Sequence, residues 1–87
     1  MPERPQICLV DDDEGVRRAL SFALRSAGYV VQTYPSAEDF LEDEPDLAVG
    51  FVITDVRMPG MSGIDLLRRL RSAGRLWKVI VISGHVR

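Results

Sequence analysis

Four short apolar runs punctuate the sequence, and what lies between them limits the fold to one class. The runs are "ICLV" (7–10), "YVVQTY" (29–34), "GFVIT" (50–54) and "KVIVIS" (78–83). Each is short, rich in β-branched or aromatic residues, and flanked by acids, glycine or proline, which predicts four strands. Runs that stay apolar without alternating suit strands covered on both faces. Between them the period changes to that of a helix. In "DDDEGVRRALSFALRSAG", Val16, Leu20, Ala23, Leu24 and Ala27 recur on one face, and Gly28 stands where such a helix ends. "SAEDFLED" opens with Ser36 and Asp39 at capping-box spacing and predicts a short helix. In "SGIDLLRRLRSAG", Ser62 and Asp65 form a second capping box, Leu66, Leu67, Leu70 and Ala73 a buried stripe, and Gly74 the end. Strand and helix in strict alternation imply an α/β fold, a doubly wound parallel sheet with helices on both faces.

Eighty-seven residues make one domain, residues 1–87, with no internal repeat. The longest apolar run, "LAVGFVI", falls far short of the ~20 residues needed to cross a bilayer. "MPERPQ" has no apolar signal region. The single cysteine, Cys8, cannot form an internal disulfide and reads as a small hydrophobe of the first strand, which fits a reducing cytoplasm. A net charge of −2 gives no electrostatic footprint for nucleic acid. The arginines of "LLRRLRSAGR" read as the solvated face of a helix. The expectation is a cytoplasmic protein with no membrane partner and no direct contact to nucleic acid.

In doubly wound sheets ligands bind beyond the carboxyl ends of the strands. Asp11 and Asp12 follow the first strand, Asp55 follows the third, and Ser83 ends the fourth. Three carboxylates brought together repel one another, and a divalent cation relieves that cost. Oxygen ligands with no His or Cys beside them favour Mg²⁺ over Zn²⁺. An aspartate beside such a metal can attack phosphorus and become an aspartyl phosphate. Asp13 and Glu14 are better read as helix-capping acids, and Asp11 and Asp12 alone suit either role. Asp55 ends an apolar strand and opens no helix. Ser83 alone is an ordinary turn residue, and His85 is assigned no role.

"VDDDEGVRRAL", "VITDVRMPGMSGIDLL" and "VIVISGH" resemble, in order and spacing, the receiver domain of two-component response regulators. "SAEDFL" and "RMPGMSG" are most similar to the FixJ-like branch. The resemblance implies a flavodoxin-like (CheY-like) fold, whose family sheet has five strands in the order 2-1-3-4-5. Here it implies four strands in the order 2-1-3-4 and three helices. It makes Asp55 the phospho-acceptor, served by a sensor histidine kinase. Mg²⁺ would be held by Asp12 directly, by Asp11 mainly through water, by Asp55, and by the backbone carbonyl of Arg57. Ser83 would be the switch hydroxyl, with the small Gly84 after it. Met58, Pro59 and Gly63 would shape the loop after the acceptor. The output would be transcriptional, and the module a signalling switch with no enzyme activity of its own.

Family members continue with a helix, a fifth strand and a last helix, and the fifth strand ends in a lysine facing the phosphoryl group. This sequence stops before that segment, and its one lysine, Lys78, begins the fourth strand. The unbroken Val79, Ile80, Val81 and Ile82 likewise suit a central strand, so the chain reads as a truncated receiver. Left at an edge, such a strand invites self-association, as a homodimer or a strand-exchanged oligomer. Two other functions fit part of the pattern. One is a degenerate receiver that binds a partner without phosphorylation. The other is an Mg²⁺-dependent phosphatase with an aspartate nucleophile, which needs a second aspartate where this chain has Arg57.

Overall fold

The computed structural model describes residues 6–82. Its elements are β1 (Gln6–Val10), α1 (Glu14–Ser26), β2 (Val30–Tyr34), α2 (Ala37–Asp43), a 3-10 turn (Glu44–Asp46), β3 (Phe51–Asp55), α3 (Gly63–Ser72) and β4 (Lys78–Ile82). The four strands form one parallel sheet in the order β2-β1-β3-β4, as expected. Val10 pairs with Tyr34 and Thr54, and Asp55 pairs with Ile82, so the carboxyl ends of all four strands share one edge.

Alternation along the strands splits the core into two layers. Cys8, Val10 and Val52 face Ala37 and Phe40 of α2, Leu66 and Leu70 of α3, and Trp77. Phe40 stands edge-on to both Tyr34 and Trp77, with ring centroids 5.5 and 5.4 Å away. Such pairs add about 0.5–1.5 kcal/mol each beyond burial. Ile7, Leu9 and Val31 point the other way, toward Leu20 and Leu24 of α1. Burial, with a smaller contribution from Asp43, pushes the Cys8 thiol up to about 12, so this cysteine is an inert core residue.

The sequence expectations fail in two places, each for a physical reason. The buried stripe of α1 is narrower than its pattern. Ala23 and Ala27 are exposed, Leu20 and Leu24 are half-buried, and the fully buried residue is Ser21, whose hydroxyl donates to the Arg18 carbonyl at 3.2 Å. A seam of two leucines already reaches the sheet, leaving the alanines off the contact line. On α3, Leu66 and Leu70 are buried, Leu67 is half-buried and Ala73, the C-cap, is exposed. β4 is left partly uncovered among the described residues, as expected of this apolar strand when it stands at an edge. It pairs only with β3 there, α1 packs on β1 and β2 beyond β3, and Ile80 is 46% exposed.

The 3-10 turn is a feature that the hydrophobic pattern does not reveal. Glu44 is buried, forms an ion pair with the Arg75 guanidinium, and accepts a 2.8 Å hydrogen bond from the Trp77 indole. Arg75 also donates to the carbonyls of Glu44 and Leu47, at 3.4 and 3.3 Å. A buried carboxylate is tolerated only when paired in this way. The cluster ties the end of α2 to the α3–β4 connection.

Candidate functional site

The site is built where β1 and β3 run out. The ladder of β1 continues one residue past its end, because the Asp11 amide donates to the Tyr34 carbonyl at 3.1 Å. That bond holds Asp11 in the sheet edge, where it is 2% exposed. The chain then turns into α1. Asp13 is the N-cap, its carboxylate accepting from the Val16 amide at 3.1 Å, while its own amide donates to Asp11 Oδ1 at 2.9 Å. Asp12, between them, is exposed. The Arg17 guanidinium, one turn into α1, donates to the Asp11 carbonyl at 2.7 Å and braces the turn from above.

Asp55 closes β3 and is 5% exposed. Carboxylate oxygens of Asp11, Asp12 and Asp55 lie within 4.8 Å of one another. Burial raises the Asp11 carboxyl above its ordinary range, and the charges of Asp55, Asp12 and Asp13 raise it further. The hydrogen bond from the Asp13 amide opposes both. A cluster of carboxylate oxygens without imidazole or thiolate fits a hard cation such as Mg²⁺, which would remove the repulsion that raises Asp11.

The loop after Asp55 is held at each step. The Val56 amide donates to the Ile82 carbonyl and the Gly63 amide to the Val56 carbonyl, both at 3.0 Å. Met58 is buried in the α2–α3 layer, whereas Arg57 and Pro59 are exposed. Gly63 begins α3 directly behind Asp55, where a Cβ would run into the Asp55 carbonyl oxygen and press on Thr54. Ser62 and Asp65 make the full reciprocal capping box, at 3.1 and 3.4 Å.

The structure thus brings Asp11, Asp12 and Asp55 together and places Arg57 two residues along the adjoining loop. Ser83, Gly84 and His85 lie outside the described residues. Lys78 pairs in register with Phe51, at the end of the sheet opposite Asp55. Hydrophobic patterning did not single out Arg17 or Glu38, whose contacts reach the turns around the site. The available signals were weak: Arg17 sits one turn into α1, and Glu38 lies inside the "SAED" cap.

The sequence profile of the response regulator receiver domain matches residues 7–87. The chain belongs to this family. As a receiver it is 45% identical over 85 residues to the transcriptional regulatory protein FixJ of Azorhizobium caulinodans, covering 98% of this chain and 40% of that protein. It is 49% identical over 79 residues to the response regulator protein TmoT of Ectopseudomonas mendocina, covering 91% of this chain and 36% of that protein. The crystal structure of FixJ-N superposes with a TM-score of 0.89 at 44% identity, over 98% of this chain and 67% of that one. The receiver therefore spans about two fifths of the length of the FixJ relatives it matches. The same fold recurs in the Vibrio cholerae chemotaxis protein CheY4, with a TM-score of 0.87 at 23% identity. No helix among the described residues is long and apolar enough to cross a membrane.

Proposed function

We propose that this receiver takes a phosphoryl group from the phosphohistidine of a sensor histidine kinase onto Asp55. The observation that carries the reading is the position of Asp55. It is a buried carboxylate at the end of a central strand, with the carboxylates of Asp11 and Asp12 within 4.8 Å. An oxygen of Asp55 attacks phosphorus in line, the P–N bond to the imidazole breaks, and the aspartyl phosphate remains. Asp11, Asp12, Asp55 and the Arg57 carbonyl would hold Mg²⁺, which when bound offsets negative charge on the transferring group. Asp11 sits in the strand edge and the Asp13 amide fixes its carboxylate, so this acid is held in place by the fold itself. Gly63 keeps space behind Asp55. Ser83, the residue after Ile82 in the sequence, is the proposed switch hydroxyl, and the proposed output is transcriptional.

The test is incubation with acetyl phosphate and Mg²⁺, followed by intact mass, beside an Asp55→Asn control. A phosphoryl mass gain that disappears in the control is the expected result. No Asp55-dependent gain, and no Asp55-dependent NMR shifts with beryllofluoride, would leave the receiver as a phosphorylation-independent binding module. Turnover of a phosphate ester would point to the phosphatase reading. Self-association is a separate proposal supported by β4, whose apolar Ile80 is exposed and which pairs on one side only among the described residues.

A further inference from the structure

The β3–α3 loop follows the acceptor, and its seat is the first turn of α2. Three neighbouring loop residues touch that seat in three ways. Met58 packs into the layer that contains Ala37 and Phe40. Gly60 runs past Glu38 so closely that a Cβ there would stand 2.7 Å from Glu38 Oε2. The Met61 amide donates to that same Oε2 at 2.9 Å, across 23 residues of sequence. Gly60 has a φ of 79°, a left-handed conformation that turns the next amide toward the glutamate. Ser36 caps α2 through the Asp39 amide, at 3.0 Å, which leaves the Glu38 side chain outside the cap and available to the loop.

We infer that Glu38 is a positioning residue for the metal and phosphoryl site, fixing through the Met61 amide the loop that carries Arg57. This rests on the receiver reading of Asp55 and Asp11. It also gives a physical reason for "SAED" and "RMPGMSG" to occur in one chain: the glutamate of the first holds the amide of the second. The side-chain cap of α2 does not use Glu38, and the residue is exposed, so its part in stability is limited to a small first-turn contribution. A backbone amide held by a carboxylate is a charge-assisted bond. Removing it frees the loop that carries Arg57 to leave its seat on α2.

The test compares Glu38→Ala and Glu38→Gln with the wild-type protein by backbone NMR. Two quantities are read: hydrogen-exchange protection of the Met61 amide without metal, and Mg²⁺ affinity from the shifts of Asp11, Asp12 and Val56. Glu38→Ala is expected to lower both by about three- to tenfold, the range for losing one exposed hydrogen bond. Glu38→Gln keeps a carbonyl oxygen at the same reach and is expected to restore both to within about twofold of wild type. Rescue by Gln separates positioning from a general loss of stability, which thermal melts of each variant report independently. If Glu38→Ala keeps wild-type Met61 protection and wild-type Mg²⁺ affinity, the positioning role is wrong. If the wild type itself shows no Mg²⁺-dependent shift at Asp11, Asp12 and Val56, the receiver reading fails and the role of Glu38 at a metal site fails with it.

Discussion

Replacing Asp11 with asparagine should make the metal-free protein more stable and remove most of what Mg²⁺ adds. Asp11 and Asp55 are both buried, and their oxygens lie within 4.8 Å. At an effective dielectric near 20, two unit charges at that distance repel by about 3.5 kcal/mol. Asp12 is exposed, so its repulsion with Asp11 is screened to within about 1 kcal/mol. Asparagine removes the charge but keeps the oxygen that accepts from the Asp13 amide. The net gain expected without metal is about 2–3 kcal/mol, or roughly 10–20 °C in melting temperature for a domain this small. Mg²⁺ at a hundred times its Kd stabilises the wild type by about 2.7 kcal/mol, and the variant should lose most of that increment. The pH dependence has a definite sign. The native state holds the Asp11 proton more tightly than the unfolded chain, because its carboxyl is raised above the ordinary 3.8. Below that value both states carry the proton and the two proteins differ little. As pH climbs from 3.8 through the raised native range, the wild type loses stability relative to the variant, and the gap is fully open above that range. The assay is thermal melting in EDTA and in Mg²⁺ across pH. An Asp11→Asn protein that melts below wild type in EDTA, or that gains as much from Mg²⁺, refutes the reasoning.

Three further outcomes follow from other contacts. Gly63→Ala should destabilise by about 2–3 kcal/mol in a denaturant titration, because its Cβ meets the Asp55 backbone, which cannot move aside as a flexible side chain would. Glu44→Ala should cost about 3 kcal/mol, since it strands the buried Trp77 N–H and the half-buried Arg75 charge; a quenched or shifted Trp77 emission would show the packing change at the same time. Ile80→Lys places a charge on the exposed side of β4 and should lower the apparent mass in light scattering at high concentration, with no change in acetyl phosphate labelling at Asp55.

The strand count and the acidic edge were legible because each depends on local pattern, whereas the strand order was implied by the receiver resemblance. Four apolar runs separated by helical periods admit few parallel arrangements, and "VITD" delivers its aspartate to the ligand edge in any of them. What escaped the pattern depends on tertiary partners. A glutamate reads as a surface residue until Trp77 and Arg75 are known to meet it, so Glu44 carried no signal in isolation. Trp77 lies between the α3 stripe and β4, in a stretch with no period, yet it is among the largest fully buried side chains. The expected burial of Ala23 and Ala27 failed in the opposite direction. Periodicity gives the direction a side chain points, but not how far the neighbouring layer extends.

The two glutamates of the α2 region divide stability from position. Phe40, Leu66, Leu70 and Trp77 bind α2 and α3 to the sheet, and each buried side chain contributes about 1.5–3 kcal/mol or more. One surface hydrogen bond is worth about 1 kcal/mol beside that, so the apolar layer sets whether α3 packs at all. It does not set where the ends of α3 stop, because apolar contact has no direction. The polar contacts do that. Glu38 holds the loop entering α3 through the Met61 amide, and Glu44 holds the connection leaving it through Arg75 and Trp77. The Glu44 contacts are largely buried and remote from the acids, so losing them should appear as lost stability. The Glu38 contact is exposed and borders the site, so losing it should change metal affinity with little change in melting. Opposite effects of the two substitutions on those two measurements would separate the roles within a single short segment of chain.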